Sequence, residues 1–385
     1  CTYIIEFTVS DMKYCSNCLM PDTRPGIKFI DGVCVACIHY KNQKEINWND
    51  RKQELETLCK KYRTSNRDEY DCAIAVSGGK DSHFQVYIMK EIMKMNPILL
   101  TVENIHPTET GKKNIQNLSD AFDCDIIKYE LNDVKKELFK RVGKYTFEEY
   151  GFPTWYIDSL LYTFPVRKTM DLGLKLLVYG EDVNYTYGGK YDEETPSAMM
   201  QPKNDVVRPI HTEMIEKGIV SKKEIANNIS PEYEECVANG LEPIYLSYFV
   251  PWNSHHNFEV AKRWGFRHLG HEYKREGAIE DYNSIDSITY LISEFLKYTK
   301  YGHSSTTQMA SRWIRYGMKT REEMIPIVKK YDKNLDQGIV EGFCEIIGIG
   351  IRKFYEILDK WYNAELFEQD RDKIWHEKFK IGIGL

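Results

Sequence analysis

The sequence has no long uninterrupted run of apolar residues. None of its hydrophobic stretches approaches the ~18 residues that a membrane-spanning helix requires, and no secretory signal is apparent in it. Internal repeats and low-complexity tracts are also missing. These absences argue against a helical membrane protein and a repeat array. They predict a globular, cytoplasmic protein that has no membrane span.

An excess of positive charge is lacking as well. The 52 Lys and Arg residues are outnumbered by 58 Asp and Glu residues, which leaves a net charge of -6. Such a balance provides no general attraction for nucleic acid, so no nucleic-acid partner is expected. The 42% hydrophobic and 29% charged content is typical of globular proteins, and 385 residues suffice for two or three domains.

The ten cysteines do not form the pattern of a disulfide framework. Four of them form two CxxC pairs separated by 15 residues, namely Cys15, Cys18, Cys34 and Cys37. Two such knuckles close a tetrahedron around one zinc ion, which predicts a zinc ribbon in a reducing compartment. Four thiolates leave no open coordination position, so the zinc would be structural. A redox pair or an iron–sulfur cluster is the alternative interpretation.

Composition and local pattern predict five segments. Residues 1–11 precede Met12 and are predicted to be an extension or tag. Because Cys1 leads the sequence, an N-terminal-nucleophile glutaminase is the alternative, but no segment after Cys1 resembles such a domain. The zinc ribbon occupies 12–42 and a helical connector 43–70. An α/β domain is expected over 71–280, and a helical region over 281–385.

A glycine-rich turn follows the predicted strand Cys72–Val76 and begins a predicted helix. Its six residues are Ser77-Gly78-Gly79-Lys80-Asp81-Ser82. The glycines allow several backbone N–H groups to converge on one anion, and Lys80 and the serine hydroxyls add donors. The pattern differs from the Walker motif, whose lysine follows a longer loop. A simple Gly-Gly turn before a helix is the alternative.

Strands and helices alternate after this turn, which predicts a parallel, doubly wound sheet. Ligands of such sheets bind beyond the carboxyl ends of the strands. We therefore expect a ligand at this edge, and if that ligand is ATP, backbone groups at Val102 would contact its adenine. Another strand over Leu174–Tyr179 is followed by Glu181, which together with Asp81 would hold Mg²⁺. The alternative for Glu181 is a solvated acidic turn, and a loop is expected over 185–189.

Four further side chains are candidates for substrate contact. Trp252 follows the predicted strand Pro243–Ser247 in an aromatic segment, where it either stacks on a sugar or base or packs in the core. Arg312 and Arg315 lie one turn apart on a predicted helix, so they either clamp an anion or form surface ion pairs. His303 lies between two predicted helices. A single helix is expected over Gly338–Trp361.

The hexapeptide resembles the PP-loop of the ATP pyrophosphatases. Together with the ribbon and further strings, the chain resembles the bacterial N-acetyl sugar amidotransferases of pseudaminic acid and lipopolysaccharide biosynthesis over essentially residues 12–385. The strings that carry the resemblance are Met12 to Cys15, Cys18 to Gly26, Tyr70 to Ser82, Gly180-Glu181, Val250 to Trp252, Lys300 to His303 and Ala310 to Arg315.

The resemblance implies an adenine nucleotide alpha hydrolase-like α/β fold and an enzyme that consumes ATP. In this chemistry an acetamido oxygen attacks the α-phosphate of ATP, pyrophosphate leaves, and ammonia then displaces AMP to give an acetamidino group. Lys80 would stabilise the departing pyrophosphate, and Asp81 and Glu181 would hold Mg²⁺. The ammonia would come from a separate glutaminase subunit. The N-acetylated sugar, such as a nonulosonic acid, would belong to flagellin or surface-polysaccharide glycans.

Two other classes remain open. Some tRNA-thiolating PP-loop enzymes also carry zinc-binding cysteines, but they need a catalytic cysteine pair, whereas Cys72, Cys124 and Cys236 lie singly in this sequence. A nucleotide-binding scaffold without catalysis would not need Lys80 and both loop serines.

Overall fold

A computed structural model of the chain describes residues 12–66, 68–189, 193–203, 209–269, 272, 279–285, 287 and 289–382. The predicted extension at residues 1–11 lies outside these. Within the described part, no helix combines the length and the apolar character needed to cross a membrane.

The first described unit is a small hairpin followed by two helices. Strands β1 (Phe29–Ile30) and β2 (Val33–Cys34) pair antiparallel. Helix α1 (Val35–Asn42) starts directly after Cys34, and helix α2 (Trp48–Tyr62) follows within residues 43–70. The Asn47 side chain caps α2 by accepting a bond from the Asn49 N–H at 3.2 Å.

The centre of the molecule is a parallel sheet of five strands. They are β3 (Cys72–Ala75), β4 (Pro97–Val102), β5 (Ile126–Tyr129), β6 (Leu176–Tyr179) and β7 (Glu242–Tyr245). Their spatial order is β5-β4-β3-β6-β7, and every adjacent pair is parallel. This confirms the predicted α/β class with a doubly wound parallel sheet. The direction of winding reverses between β3 and β6, which leaves a crevice at their carboxyl ends.

Helices cover both faces of this sheet. The helices in this part of the chain are α3 (Lys80–Val86), α4 (Glu109–Phe122), α5 (Asp133–Tyr150), α6 (Trp155–Asp171), α7 (Val183–Tyr187), α8 (His211–Glu216), α9 (Tyr233–Ala238), α10 (Leu246–Phe249) and α11 (Ser254–Arg263). A π-helical turn, Tyr87–Ile92, continues α3. Alternation along β3 sends Ile74 into the core under α3 and α4, and Ala73 into the core under α6.

Helices dominate the remainder of the chain. They are α12 (Thr289–Tyr301), α13 (Ser305–Arg315), α14 (Arg321–Tyr331), α15 (Gln337–Ile347) and α16 (Ile351–Asp359), followed by the hairpin of β8 (Phe367–Gln369) and β9 (Trp375–Glu377). Their apolar core is continuous with that of α5 and α6, and it also includes Met12 and Leu19. The hairpin unit, defined as residues 12–62, therefore packs on these helices. It also packs on the sheet, through Leu55 and Cys59 of α2.

Three sequence predictions about these elements are wrong in detail. The single helix expected over Gly338–Trp361 is two helices, because Gly348 ends α15 with a φ of 68°, a left-handed conformation that glycine adopts without strain. The strand expected over Pro243–Ser247 ends at Tyr245, where α10 begins. The loop expected over 185–189 contains the end of helix α7.

Candidate functional site

The glycine-rich turn lies between the end of β3 and the start of α3, at the crevice. The Ser77 N–H donates to Ser82 Oγ at 2.9 Å, so the turn closes on the first helical turn. Gly78 has a φ of +87°, and a Cβ there would lie 2.7 Å from Ile115 Cγ1. Only glycine satisfies both the conformation and the space at this position. The turn is thus packed in place before any ligand binds.

His83 supports the turn from below. Its Nδ1 lies 3.0 Å from the Gly79 carbonyl oxygen, and its Nε2 lies 2.9 Å from Asn117 Oδ1. Burial lowers the pKa of His83, and the ring bridges the turn to Asn117 through its two nitrogens. No sequence pattern indicates this role of His83, because Asn117 comes from α4.

Lys80 is held in one position although it is a long side chain. It is 5% exposed, and its Nζ donates to Asp81 Oδ2 at 2.9 Å and to Asn283 Oδ1 at 3.0 Å. Asn257 Nδ2 donates to the other Asp81 oxygen at 2.8 Å. A cation and a carboxylate are therefore oriented at the N-terminus of α3, where the helix dipole favours an anion.

A second carboxylate enters the same crevice from β6. Glu181 Oε1 accepts a bond from the Tyr187 hydroxyl at 3.2 Å, and Arg312 Nη1 donates to that hydroxyl oxygen at 3.0 Å. Burial and the nearby Asp81 carboxylate raise the pKa of Glu181 to about 7, against the opposing effect of Lys80. Two carboxylates that disfavour each other's charge are a donor set that fits a divalent cation.

The neighbouring Asp182 has a different role. It is 2% exposed, and its Oδ1 accepts bonds from the N–H groups of Asn184 at 2.9 Å and Tyr185 at 3.3 Å. These contacts make Asp182 the N-cap of α7. Of the two adjacent acidic residues, Glu181 lines the crevice and Asp182 holds the helix that follows.

A cavity of about 250 Å³ occupies the crevice. Lys80 does not line it, but six of the residues that the sequence predicts for nucleotide, Mg²⁺ or substrate contact do: Ser77, Asp81, Ser82, Val102, Glu181 and Trp252. The volume lies at the point where the sheet changes its direction of winding, the usual position of a ligand in such folds.

Trp252 forms one wall of this cavity. It is 6% exposed, and its ring packs edge-on against Phe84 with centroids 5.4 Å apart. A Cβ at Gly180 would lie 3.0 Å from the indole Cη2, so a side chain at this position would crowd the Trp252 ring. Both sequence interpretations of Trp252 are compatible with this position, since the ring packs in the core and also faces the cavity.

The other predicted substrate contacts lie behind the cavity. Arg312 is 8% exposed and its Nη2 donates to Glu280 Oε2 at 2.8 Å, so its ion pair is buried rather than on the surface. Arg315 Nη1 donates to the Thr186 carbonyl at 3.2 Å. His303 is 1% exposed, and burial lowers its pKa to about 3. Arg312, Arg315 and His303 are not among the residues that line the cavity.

The four predicted metal ligands form a separate, buried centre. Their sulfur atoms all lie within 4.8 Å of one another, and this is the only such group of metal-binding side chains among the described residues. The Cys15–Cys37 and Cys18–Cys34 sulfur separations are 3.9 and 3.7 Å. Zinc–sulfur bonds of about 2.3 Å at a tetrahedral ion require separations of about 3.8 Å. The arrangement fits a structural metal such as zinc.

Contacts beyond the sulfur atoms complete this centre. The Cys34 N–H donates to Cys15 Sγ at 3.2 Å, and the guanidinium of Arg321 in α14 donates to the carbonyls of Cys15 and Cys18. The Leu19 N–H donates to Ser311 Oγ at 3.2 Å. Such outer contacts fix the orientation of the ligands.

Sequence reasoning missed several side chains that complete the crevice. Gln85 lines the cavity, and its position one helical turn after Asp81 was a usable signal. Glu280 joins Arg312 to Asn283, and so indirectly to Lys80, but no motif marks it or Asn257. These residues reach the crevice only through the tertiary fold.

Two comparisons with known proteins each found a match to part of the chain. Residues 276–380 match the C-terminal domain of the WbpG-like lipopolysaccharide biosynthesis proteins. The chain is also 25% identical over 175 residues to an uncharacterized protein of Methanocaldococcus jannaschii, MJ1599. That alignment spans 44% of this chain and 60% of the archaeal protein.

Proposed function

We propose that this protein is an ATP-dependent, AMP-forming amidotransferase that converts an N-acetyl group of a sugar into an acetamidino group. The observation that carries the proposal is the crevice between β3 and β6. There a preformed glycine-rich turn, the Lys80 ammonium and the carboxylates of Asp81 and Glu181 meet beside one cavity. This arrangement suits a polyphosphate with its cation.

The chemistry requires no covalent nucleophile from the protein. The acetamido oxygen attacks the α-phosphorus of ATP, and the bond to the β-phosphate oxygen breaks to release pyrophosphate. Ammonia then adds to the activated carbon, AMP leaves with the original oxygen, and a proton is released. The N–H groups of the turn and Lys80 would stabilise the charge on pyrophosphate, while the fixed geometry holds the reactants together.

Magnesium fits the pair of carboxylates in this scheme. Asp81 and Glu181 would hold Mg²⁺, which would neutralise charge on the phosphate oxygens. The hydroxyl of Tyr187 already orients one oxygen of Glu181, and Asn257 orients one oxygen of Asp81. The protein thereby presents oriented oxygen donors.

The sugar substrate is suggested by the C-terminal domain. Because residues 276–380 are similar to a domain of lipopolysaccharide biosynthesis proteins, we propose an acceptor from a surface glycan, such as a nonulosonic acid. A separate glutaminase subunit would supply the ammonia. No segment of the sequence resembles a glutaminase.

The burial of the single cysteines argues against tRNA thiolation. Burial raises the pKa of Cys124 to about 11 and that of Cys72 well above its usual value, so neither thiol readily becomes the thiolate that sulfur transfer requires. Cys236 is also buried. A persulfide-carrying cysteine would have to be reachable.

The test is an assay of the purified protein with ATP, Mg²⁺, ammonium and a panel of N-acetylated sugar acids, free and nucleotide-linked. We expect AMP and pyrophosphate in equal amounts and a product about one mass unit lighter, with a new strongly basic group. ADP and orthophosphate in their place would refute the proposal. Cys124→Ala and Cys236→Ala should keep full activity, whereas loss in either would favour thiolation.

A further inference from the structure

Helix α7 controls the position of Glu181. The helix begins two residues after Glu181, and its last residue, Tyr187, donates the hydrogen bond to the Glu181 carboxylate. A helix of five residues has too few internal hydrogen bonds to be stable on its own. Its position must therefore come from what it packs against.

Helix α1 of the hairpin unit provides that support. The rings of His39 and Tyr185 are stacked with centroids 4.0 Å apart and planes within 8°. His39 Nδ1 also lies 2.9 Å from the Tyr185 carbonyl oxygen. At the end of α7, a Cβ on Gly188 would lie 3.0 Å from Val35 Cγ2 and 3.1 Å from the Ala36 nitrogen. The end of α7 and the start of α1 therefore lie too close together for a side chain at this position.

The same α1 carries half of the metal centre. It begins immediately after Cys34 and contains Cys37, so its first turn is one of the two knuckles. Arg24, from the segment between the knuckles, donates to the Gly188 carbonyl at 3.1 Å and also to the Tyr187 carbonyl. Arg24 thus holds the carbonyl end of α7. The position of Arg24 depends in turn on the two cysteine knuckles that flank it in the sequence.

We infer that the four-cysteine centre positions the candidate catalytic carboxylate. Metal binding closes the knuckles and fixes α1; α1 and Arg24 fix α7; and Tyr187 then orients Glu181. His39 and Arg24 are positioning residues in this chain of contacts. The mechanical coupling stands on the contacts alone, whereas its consequence for catalysis rests on the proposed function.

Hydrogen exchange tests the coupling without any substrate. The peptide 182–189 is followed in the metal-loaded wild type, after chelation, and in metal-loaded His39→Ala. We expect this peptide to exchange at least ~10-fold faster after chelation and in His39→Ala than in the metal-loaded wild type, because α7 is only marginally stable without the support of α1. A peptide covering β4 reports global stability and should remain protected in His39→Ala.

Matched variants separate positioning from metal loss. Cobalt(II) bound to four thiolates has a characteristic visible spectrum, which should be unchanged in His39→Ala. His39→Phe keeps a ring for the Tyr185 stack and should recover most of the protection. His376→Ala, in the distant β8–β9 hairpin, should exchange like the wild type. Unchanged exchange of 182–189 in His39→Ala with an intact cobalt spectrum would overturn the inference.

Kinetics connect this coupling to the proposed reaction. In His39→Ala we expect the Mg²⁺ concentration for half-maximal AMP formation to rise ~10-fold, with the affinity for metal-free nucleotide nearly unchanged. A wild type that forms no AMP would refute the proposed function but leave the exchange result standing. A His39→Ala variant with accelerated exchange and an unchanged Mg²⁺ requirement would refute the catalytic consequence.

Discussion

The cysteine centre and the sheet-edge cavity differ in whether groups of the protein occupy all of their contact positions. At the cysteine centre, the four sulfur atoms face one another, and backbone N–H groups and Arg321 fill the outer positions. At the cavity, Lys80 holds Asp81 and Tyr187 holds Glu181, but the two carboxylates still border about 250 Å³ of open space. The first has the size for a single metal ion, whereas the second has room for a larger ligand.

This difference predicts how each region responds to mutation. A closed centre that joins the hairpin unit to the C-terminal helices should contribute mainly to stability. An open site whose polar groups are already oriented should contribute mainly to the transition state, with little effect on unfolding. The predictions below test that separation, from the largest effect to the smallest.

Lys80→Met should lower AMP formation by about 10³-fold, because the loss of a fixed cation removes stabilisation of the departing pyrophosphate. The measurement is kcat with ATP, ammonium and an accepted sugar. Lys112→Met, on the exposed surface of α4, is the matched control and should keep wild-type activity. Comparable activity in Lys80→Met would remove this cation from the mechanism.

Cys34→Ser should abolish stoichiometric metal binding. It should also lower the free energy of unfolding by roughly 3–5 kcal/mol, since metal binding and folding are linked. Metal analysis and denaturant unfolding measure the two effects. Cys124→Ala, outside the centre, should retain the metal. If Cys34→Ser instead unfolds like the wild type, the centre is not a structural element.

Arg321→Met should cost about 2–3 kcal/mol of stability, because two knuckle carbonyls lose a charged donor. It should also speed the release of metal to a chelator. Arg352→Met, whose side chain is 94% exposed, provides a control for the charge change. Equal release rates in the two variants would show that the guanidinium does not support the knuckle.

His303 should make stability depend on acid pH. Its pKa is about 3 in the folded protein, against ~6.5 in the unfolded chain. The unfolded state therefore binds more protons between these values, and stability falls as the pH drops below about 6.5. The contribution lost at pH 5 is about 2 kcal/mol relative to neutral pH.

The comparison is the pH dependence of unfolding in wild type and His303→Gln. Between pH 7 and pH 5 the variant should lose less stability than the wild type, by the amount given above. His256→Gln, at an exposed position, should follow the wild type. Parallel curves for wild type and His303→Gln would show that the ring is protonated in the folded state.

Much of the open site was predictable because it is local in sequence. The hexapeptide after β3 and Glu181 after β6 each follow a buried strand, and parallel strands bring their carboxyl ends to one edge. The closed centre was predictable for the same reason, since the CxxC spacing itself defines a knuckle. In both cases the signal lies within a few residues.

The supporting contacts were not predictable. Lys80 contacts Asn283, and Asp81 contacts Asn257, across sequence separations of 203 and 176 residues. Arg312 could form a buried or a surface pair until the position of Glu280 was known. The segment that contains Tyr185 and Tyr187 lacks a helical pattern of its own, and its packing on α1 makes it a helix.

The amino-acid order alone therefore determined the parallel α/β class, the glycine-rich turn, and the four-cysteine group, since each depends on neighbours in the chain. Only the tertiary structure decided which helix the metal knuckle supports and which side chains orient Lys80 and Glu181. The reason is physical: short-range periodicity and turn geometry are encoded locally, whereas a buried polar contact exists only once distant segments have packed and excluded water.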